Sequence, residues 1–359
     1  MSNIFIVIAG LIIGPFLMMR LPKLVFREKC AVSVSVIIPA RNEAHNITEL
    51  IDQLNVQTLL PYEIICVDDG SEDETAFLAK KAGARLIEAG NHPQGWIGKT
   101  WASQVGAKAA SGELLLFLDA DVRLQSHALE ALAWMQKQYD GVVSVQPFHK
   151  VRHFYEHFSM YFNIISVAAT GAGMPFLNKK TGMFGPVVIL PRGLYLEKGG
   201  HSEVRSRVLE DLFLGKIYAK QGIPVTLAAG AENISYRMYP EGLRALWDGW
   251  TKNFFSGAVS VSVLLLILCI IWLSALTSVA IGLIRDLASP TQYLWSTLAI
   301  YGLCAAETAY LGRQTGNFRW PAYIFYPVFL AGFHIIFMAS VIKHLVFRRV
   351  NWKGRTIRL

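Results

Sequence analysis

The sequence predicts an α/β fold class, with a largely parallel sheet carried between an apolar N-terminal segment and apolar C-terminal helices. Three observations predict it. Between about residues 30 and 250, strand-like apolar runs alternate with helix-like stretches, the pattern of a sheet with crossover helices. Two of those runs end abruptly in acids, at Asp68-Asp69-Gly70-Ser71 and Asp119-Ala120-Asp121. Both ends of the chain are strongly apolar.

The elements follow in order. Residues 4–19 are apolar and uncharged, and Arg20, Lys23, Arg27 and Lys29 come after them. A signal peptide places its charge before the apolar stretch. The reversed order predicts an uncleaved anchor within residues 1–24, with its basic side in the cytoplasm. Val34–Ile38 is a β-rich run ending at Pro39, and Asn42-Glu43 opens a helix over 46–57. Glu63–Val67 is the second strand. Ser71, with Glu74 three residues on, predicts a capped helix after it. Ala84–Glu88 is a third strand and a helix lies near 100–110, before the run Leu114–Leu118 that carries Asp119. Glu210-Asp211 begins another helical stretch, Leu212 to Lys220. In a sheet of this kind ligands gather at the carboxyl edge, and both acidic clusters fall there.

At 359 residues, 53% hydrophobic and with a mean hydropathy of +0.36, the chain is too apolar for an ordinary soluble enzyme. The net charge of +8 collects in the basic residues after the first apolar segment and in Lys343, Arg348, Arg349, Lys353, Arg355 and Arg358. Basic clusters beside apolar segments point to an anionic membrane surface; no motif favours nucleic acid. Cys30, Cys66, Cys269 and Cys304 lack metal spacing and read as free thiols. Further spans are expected at roughly 259–284, 292–312 and 321–346. Three spans plus the anchor would leave the basic tail outside, against the positive-inside rule, so one of them is expected to be re-entrant or surface-lying, or the tail is an exception. Leu243, Leu246, Trp247, Trp250 and Phe254 recur at helical spacing, giving an amphipathic helix suited to the membrane interface or to domain packing. His153 and His157 lie four apart but lack the H-E-x-x-H order and a third ligand, so an aromatic helix is expected there and not a metal site.

Two carboxylates one residue apart, at the end of a buried strand, suit a divalent cation holding a phosphate. G-x-G-x-x-G after the first strand and G-x-x-x-x-G-K-[ST] are both missing, which argues against dinucleotide oxidoreductases and P-loop ATPases. A nucleotide-sugar donor fits better. Lys99, in the Gly-rich segment 95–99, is placed to neutralise a diphosphate.

Val36–Glu43 (VIIPARNE), Val67–Ser71 (VDDGS), Leu118–Val122 (LDADV) and Glu210-Asp211 resemble the family 2 glycosyltransferases of GT-A fold. A narrower resemblance rests on Gly95–Ala102, Ser144–His149, Phe184-Gly185-Pro186, Arg237–Gly242, Gly249–Asn253 and Trp352–Arg355. These look like the membrane-bound 4,4'-diaponeurosporenoate glycosyltransferases of bacterial carotenoid biosynthesis. The resemblance implies a GT-A nucleotide-sugar-binding domain at 30–236, an interfacial helix at 237–258, a transmembrane region at 259–347 and a basic tail at 348–359. It further implies that Asp69 accepts hydrogen bonds from the uracil or ribose of a UDP-sugar, with Ala40 and Glu43 lining that pocket. Asp119 and Asp121 would hold the ribose and a diphosphate bound to Mg²⁺ or Mn²⁺, Asp121 more directly. Asp211 is the implied general base of an inverting transfer, and Glu210, Trp250 and Lys252 face the acceptor. Trp250-Thr251-Lys252-Asn253 stands where many membrane relatives carry Q/R-x-x-R-W, which makes processive polysaccharide synthesis less expected.

The expected reaction moves a hexose, glucose favoured, from UDP onto a lipid-like acceptor such as a carotenoid carboxylic acid, on the cytoplasmic face of a multi-pass cell-membrane protein. The alternatives are another lipid (polyprenyl phosphate, hopanoid, diacylglycerol or a ceramide-like alcohol) or a non-catalytic membrane scaffold. A transporter is disfavoured because Glu307 is the only clear acid within the spans. A carboxylic acid already ionised at neutral pH needs no base and would be repelled by an Asp carboxylate, whereas a hydroxyl needs one. The Glu210-Asp211 pair therefore favours an alcohol, against the narrower resemblance.

Overall fold

A computed structural model describes residues 2–175, 182–207, 209–258, 261–347, 349–352 and 355–358. Two compact units emerge: Pro22–Phe148 with Lys180–Arg237, and Met1–Leu21 with His149–Lys179 and Met238–Leu359. The expected 30–236 domain is therefore interrupted, because His149–Lys179 packs with the helices.

The first unit is built on a seven-stranded sheet. Its strands are β1 (Val34–Ala40), β2 (Glu63–Asp68), β3 (Arg85–Glu88), β4 (Leu114–Leu118), β6 (Val142–Gln146), β8 (Val187–Pro191) and β9 (Val225–Ala229). A short β5 (Val122–Leu124) pairs antiparallel with β10 (Ile234–Tyr236) beside it, and at β7 (Phe148–His149) the chain leaves the unit. The order is β3-β2-β1-β4-β8-β6-β9, parallel except where β8 runs against β4 and β6. The expected parallel sheet thus has one reversed strand. Chain direction diverges between β1 and β4, which opens a crevice at their carboxyl ends.

β1, β2 and β4 read as unbroken apolar runs because both faces are covered. Val36, Ile38, Leu114, Leu116 and Leu118 face a core shared with Leu50, Leu54, Leu129 and Leu132. Ile37, Ile65, Val67, Leu115 and Phe117 face a second, with Ala102, Tyr195, Leu214 and Tyr218. Gly106 lets helix Gly98–Ala109 lie against the sheet, since a Cβ there would press on Ile37 and Val67. The outer edge at β9 is closed by the segment after the first apolar helix. Leu24 N–H donates to Ala229 O (2.9 Å), and Ala229 N–H returns a bond to Pro22 O (2.8 Å). An edge that is paired in this way offers no template for aggregation.

The Ser71–Glu74 capping box does not form. Ser71 Oγ bonds Asp68 and accepts from Asn42 N–H, while Asp73 takes the N–H of Thr75 at the start of helix Thr75–Lys81. Tyr195 is wholly buried, donates to Gln104 Oε1 (2.8 Å) and lies 2.7 Å from His201 Nδ1. Burial, then the charge of Lys99, drives the His201 pKa down to about 3.

The second unit is helical. Two of its helices, Val263–Ala288 and Tyr326–Leu345, are long and apolar enough to cross a membrane by length and composition; Ile4–Leu17 is a shorter apolar helix. The expected span 292–312 forms helix Leu294–Thr315, but Glu307, Arg313 and its threonines and glycines leave it less apolar. The N-terminal helix docks on Val263–Ala288 through Gly10 and Gly14, four apart. A Cβ on Gly10 would overlap Ala275, and one on Gly14 would meet Glu307 and Trp272. Small residues at this spacing allow close helix approach.

Helix Leu243–Ala258 packs one face within the helical unit and leaves another exposed. Leu246 and Trp250 are buried, Trp250 stacks on Phe162 at 4.5 Å and Lys343 Nζ donates to Thr251 Oγ1 (2.7 Å), while Leu243 and Trp247 remain exposed. His153 precedes a 3₁₀ helix, Phe154–Ser159, that contains His157. His157 Nδ1 meets Phe154 O and its Nε2 accepts from Arg319 N–H, which engages both ring nitrogens. In the tail, strands Arg349–Trp352 and Arg355–Arg358 pair antiparallel. Arg348, Lys353 and the other basic side chains beyond Phe347 lie outside the described residues, as does the Asn253 side chain.

Two outcomes are expected. Gly14→Val should destabilise the detergent-solubilised chain by about 1–3 kcal/mol in thermal unfolding, the range for overpacking. Gly302→Ala, which meets nothing within 4 Å, should not. The second outcome concerns His201, whose folded pKa lies below the unfolded value of about 6.5, so its stabilising contribution is complete above pH 6.5 and lost as pH falls towards 3. Unfolding free energy should drop by up to about 1.4 kcal/mol per pH unit from this group, and His201→Asn should remove that slope.

Candidate active site

The carboxyl ends of β1, β2 and β4 bring the sequence-predicted donor residues together. Asp69 follows β2, and its N–H donates to Ala40 O at the end of β1 (2.9 Å). Asp119 follows β4, anchored by its N–H to Pro186 O (2.9 Å). Asp121 is two residues on, and Glu43 follows β1, with its carboxylate accepting from Asn46 Nδ2 (2.9 Å).

Lys99 is the hub. Its ammonium lies 2.8 Å from Asp119 Oδ1, 3.2 Å from Glu210 Oε1 and 3.6 Å from Asp211 Oδ2. It reaches them from the first turn of helix Gly98–Ala109, while Glu210 and Asp211 occupy the first turn of helix Glu210–Lys220. Burial works against the Lys99 charge, but the three carboxylates hold its pKa well above the ordinary lysine range. Gly185 presses its backbone against Asp211 and Lys99, where any side chain would collide. The Phe184-Gly185-Pro186 turn is thus part of this floor, tied down by Ser144 Oγ donating to Phe184 O (2.8 Å).

The negative charge is in excess. Burial, then Asp119 and Glu43, pushes the Asp121 pKa upward, with Lys99 opposing. Burial also raises Asp211 well above the usual carboxylate range; Lys99 lowers it, but Glu210 and Asp119 raise it further. The site can therefore take up positive charge beside Asp119 and Asp121, and it can keep a proton on Asp211.

Asp69 is enclosed by two basic side chains. Its carboxylate is 3% exposed, contacts His92 Nε2 through Oδ1 and lies 4.0 Å from Arg41 through Oδ2. Gly98 packs on it as well. Arg41 also donates to Asp69 O (2.9 Å) and lies 3.7 Å from Glu72. Sequence reasoning passed over His92 and Arg41. Arg41 lay inside the quoted VIIPARNE run, whereas His92 stands in a loop with no periodic signal. The acceptor-side residues divide: Glu210 joins the Lys99 cluster, whereas Trp250 and Lys252 belong to the helical unit. Trp250 donates from Nε1 to Ser159 Oγ (3.0 Å).

Residues 35–184 match the family model described as Glycosyl transferase family 2. The chain is 34% identical over 338 residues to a 4,4'-diaponeurosporenoate glycosyltransferase of Staphylococcus haemolyticus (strain JCSC1435), covering 90% of this chain and 88% of that one. It is 32% identical over 329 residues to the protein of the same name from Staphylococcus aureus (strain MRSA252), with the same coverage. Among solved structures it resembles the mannosyltransferase PcManGT of Pyrobaculum calidifontis, solved with GDP-Man and Mn²⁺. The TM-score is 0.55 at 17% identity, over 97% of this chain and 96% of that one, a likeness of GT-A fold. The chain belongs to glycosyl transferase family 2.

Proposed function

We propose that this glycosyltransferase moves a hexose, glucose favoured, from a UDP-sugar to a membrane lipid-like acceptor with inversion, and that the acceptor is a carotenoid carboxylic acid. The observation that carries the transfer chemistry is Lys99, whose one ammonium joins the donor-side Asp119 to the acceptor-side Glu210 and Asp211. The relatives' printed substrate supports the acid acceptor.

The residues at the end of β4 fit a divalent cation. Asp119 and Asp121 offer hard oxygen donors, and burial, then the charges of Asp119 and Glu43, disfavours the bare Asp121 carboxylate that a cation would neutralise. No group of three or more His, Cys, Asp or Glu among the described residues is arranged to hold an ion alone. Two carboxylates with donor phosphates are sufficient for Mg²⁺ or Mn²⁺, and the Mn²⁺ named with PcManGT agrees. When bound, such an ion would neutralise charge on the departing diphosphate.

The chain's own groups do the rest. Lys99 stabilises the diphosphate as the anomeric C–O bond breaks. Asp211 faces the acceptor side: its raised pKa lets it take a proton from a hydroxyl nucleophile, or remain protonated beside a carboxylate. The two long apolar helices and the short N-terminal one suit a chain that works at a membrane, where a lipid-like acceptor resides. Two C-terminal crossings in place of three would also return the basic tail to the cytoplasmic side of the catalytic unit, as the positive-inside rule asks.

The test incubates membranes bearing the full chain with labelled UDP-glucose and extracted lipids, then identifies the product. An alkali-labile sugar ester is expected; an alkali-stable glycoside would shift the acceptor to an alcohol. No lipid product with any UDP-sugar would favour the scaffold reading. Asp121→Asn and Asp119→Asn should each lower turnover about 10²–10³-fold, the scale for losing one electrostatic stabiliser, and should abolish Mn²⁺-enhanced UDP binding in calorimetry. Asp211→Asn should eliminate transfer to a hydroxyl but only reduce transfer to a carboxylate; equal loss with both acceptors would count against its role as a base.

A further inference from the structure

We propose that Arg123 is a positioning residue for the donor site: its guanidinium fixes the Asp119-Ala120-Asp121 turn and, by way of Asn46, orients the Glu43 carboxylate. The inference rests on the reading of that turn as the seat of a divalent cation and a donor diphosphate, and deepens it. Short strand β5 places Val122 and Leu124 in the core, and strand alternation turns Arg123 to the other face. From there Nη1 donates to Ala120 O (3.2 Å) and Val122 O (3.0 Å), the carbonyls of the two residues that flank Asp121. Nη2 donates to Asn46 Oδ1 (2.7 Å), and Asn46 Nδ2 donates onward to Glu43 Oε2 (2.9 Å). The remaining Nε lies 2.8 Å from Glu49 Oε2.

Asn46 distinguishes this bridge from local packing. It stands at the N-cap of helix Ile47–Asn55, where an asparagine side chain ordinarily accepts a backbone N–H of the first turn. Here it makes no such bond. Only one orientation of its amide satisfies both neighbours, because a guanidinium only donates and an ionised carboxylate only accepts. Oδ1 must face Arg123 and Nδ2 must face Glu43. The side chain forgoes a capping bond and links the end of β1 to the turn after β4.

The consequence falls on Asp121. Beyond burial, Asp119 and then Glu43 are the carboxylates whose charges weigh on it. Arg123 holds the backbone that carries Asp119 and Asp121, and through Asn46 it sets the direction of Glu43. Partners that orient the carboxylates around a cation govern its affinity nearly as strongly as the ligands do. A lysine could not substitute, since one ammonium lacks the planar fork that reaches Ala120, Val122 and Asn46 together.

The experiment is calorimetry on the full chain in detergent, titrating UDP and inorganic pyrophosphate with and without Mn²⁺, and Mn²⁺ at fixed UDP. The wild type should bind both probes more tightly with Mn²⁺. Arg123→Lys should raise the Mn²⁺ concentration for half-maximal UDP binding about tenfold, the lower end of the loss for such partners, and leave metal-free UDP binding unchanged. Asn46→Ser should do the same while its thermal unfolding midpoint stays level or rises, since serine can cap the helix but cannot bridge. The double variant should be little weaker than either single one, because both break the same connection. Glu49→Gln, which removes only an ion pair to a largely exposed carboxylate, should bind as the wild type does. Wild-type Mn²⁺ dependence in either Arg123→Lys or Asn46→Ser would overturn the assignment. So would equal losses with and without Mn²⁺ that track a fall in thermal stability, the mark of a purely structural role. UDP binding by the wild type that ignores Mn²⁺ would overturn it too, while leaving the donor reading standing. A wild type that binds neither probe would refute the donor reading and the role of Arg123 together.

Discussion

A single ammonium group, that of Lys99, holds together a site in which negative charge otherwise exceeds positive. Three carboxylates from two parts of the chain lie within 3.6 Å of it. At such distances like charges repel strongly unless a cation stands between them. Asp119 arrives from β4, whereas Glu210 and Asp211 arrive from a helix almost a hundred residues later. Lys99 is therefore both the electrostatic centre of the site and the reason these segments tolerate one another. The starts of helices Gly98–Ala109 and Glu210–Lys220 meet at this point, through Lys99 and the Glu210-Asp211 pair.

The sheet supports this arrangement through its direction. β1, β2 and β4 run parallel, so Ala40, Asp69 and Asp119 emerge at one edge. β8 runs the opposite way, and so its start, not its end, lies there: Val187 pairs with Leu118, and Pro186 accepts the Asp119 N–H. The reversal brings the Phe184-Gly185-Pro186 turn beneath Lys99 and Asp211. Behind them the neutral His201–Tyr195–Gln104 network fills the core with satisfied polar groups, and it ties the Lys99 helix to the chain that precedes Asp211.

Much of this was legible in the sequence wherever burial imposes a pattern. β1, β2 and β4 announced themselves as unbroken apolar runs closed by acids, and helix Glu210–Lys220 by its leading acids. Features that depend on distant partners were not legible. Ser71 and Glu74 had the spacing of a capping box, but Asp68 and Asn42 captured Ser71. Gly10 and Gly14 read only as part of an apolar stretch, because their significance comes from Ala275, Trp272 and Glu307. β8 could not be read as reversed, since strand direction leaves no trace in periodicity. His92 meets Asp69 only when the loop after β3 folds back. Lys99 lay between these cases: its glycine-rich setting suggested phosphate, but not that it would bridge the donor carboxylates to Asp211.

That bridge bears on the conflict between an acidic pair and an acidic acceptor. An ionised Asp211 would repel a carboxylate nucleophile, and the pair Glu210-Asp211 on its own therefore favours an alcohol. The geometry changes the balance, because burial, joined by Glu210 and Asp119, outweighs the opposing charge of Lys99 and disfavours ionising Asp211. In the protonated form Asp211 is a hydrogen-bond donor, which attracts a carboxylate and orients it without competing for the Lys99 charge. Lys99, held cationic by Asp119, Glu210 and Asp211, would in the proposed reaction attract both an anionic acceptor and a departing diphosphate. A hydroxyl acceptor would require the reverse: Asp211 would have to release its proton before the acceptor arrived, against the same burial and the same neighbours. The acid acceptor proposed above therefore sits more easily beside Asp211 than the residue types alone suggest.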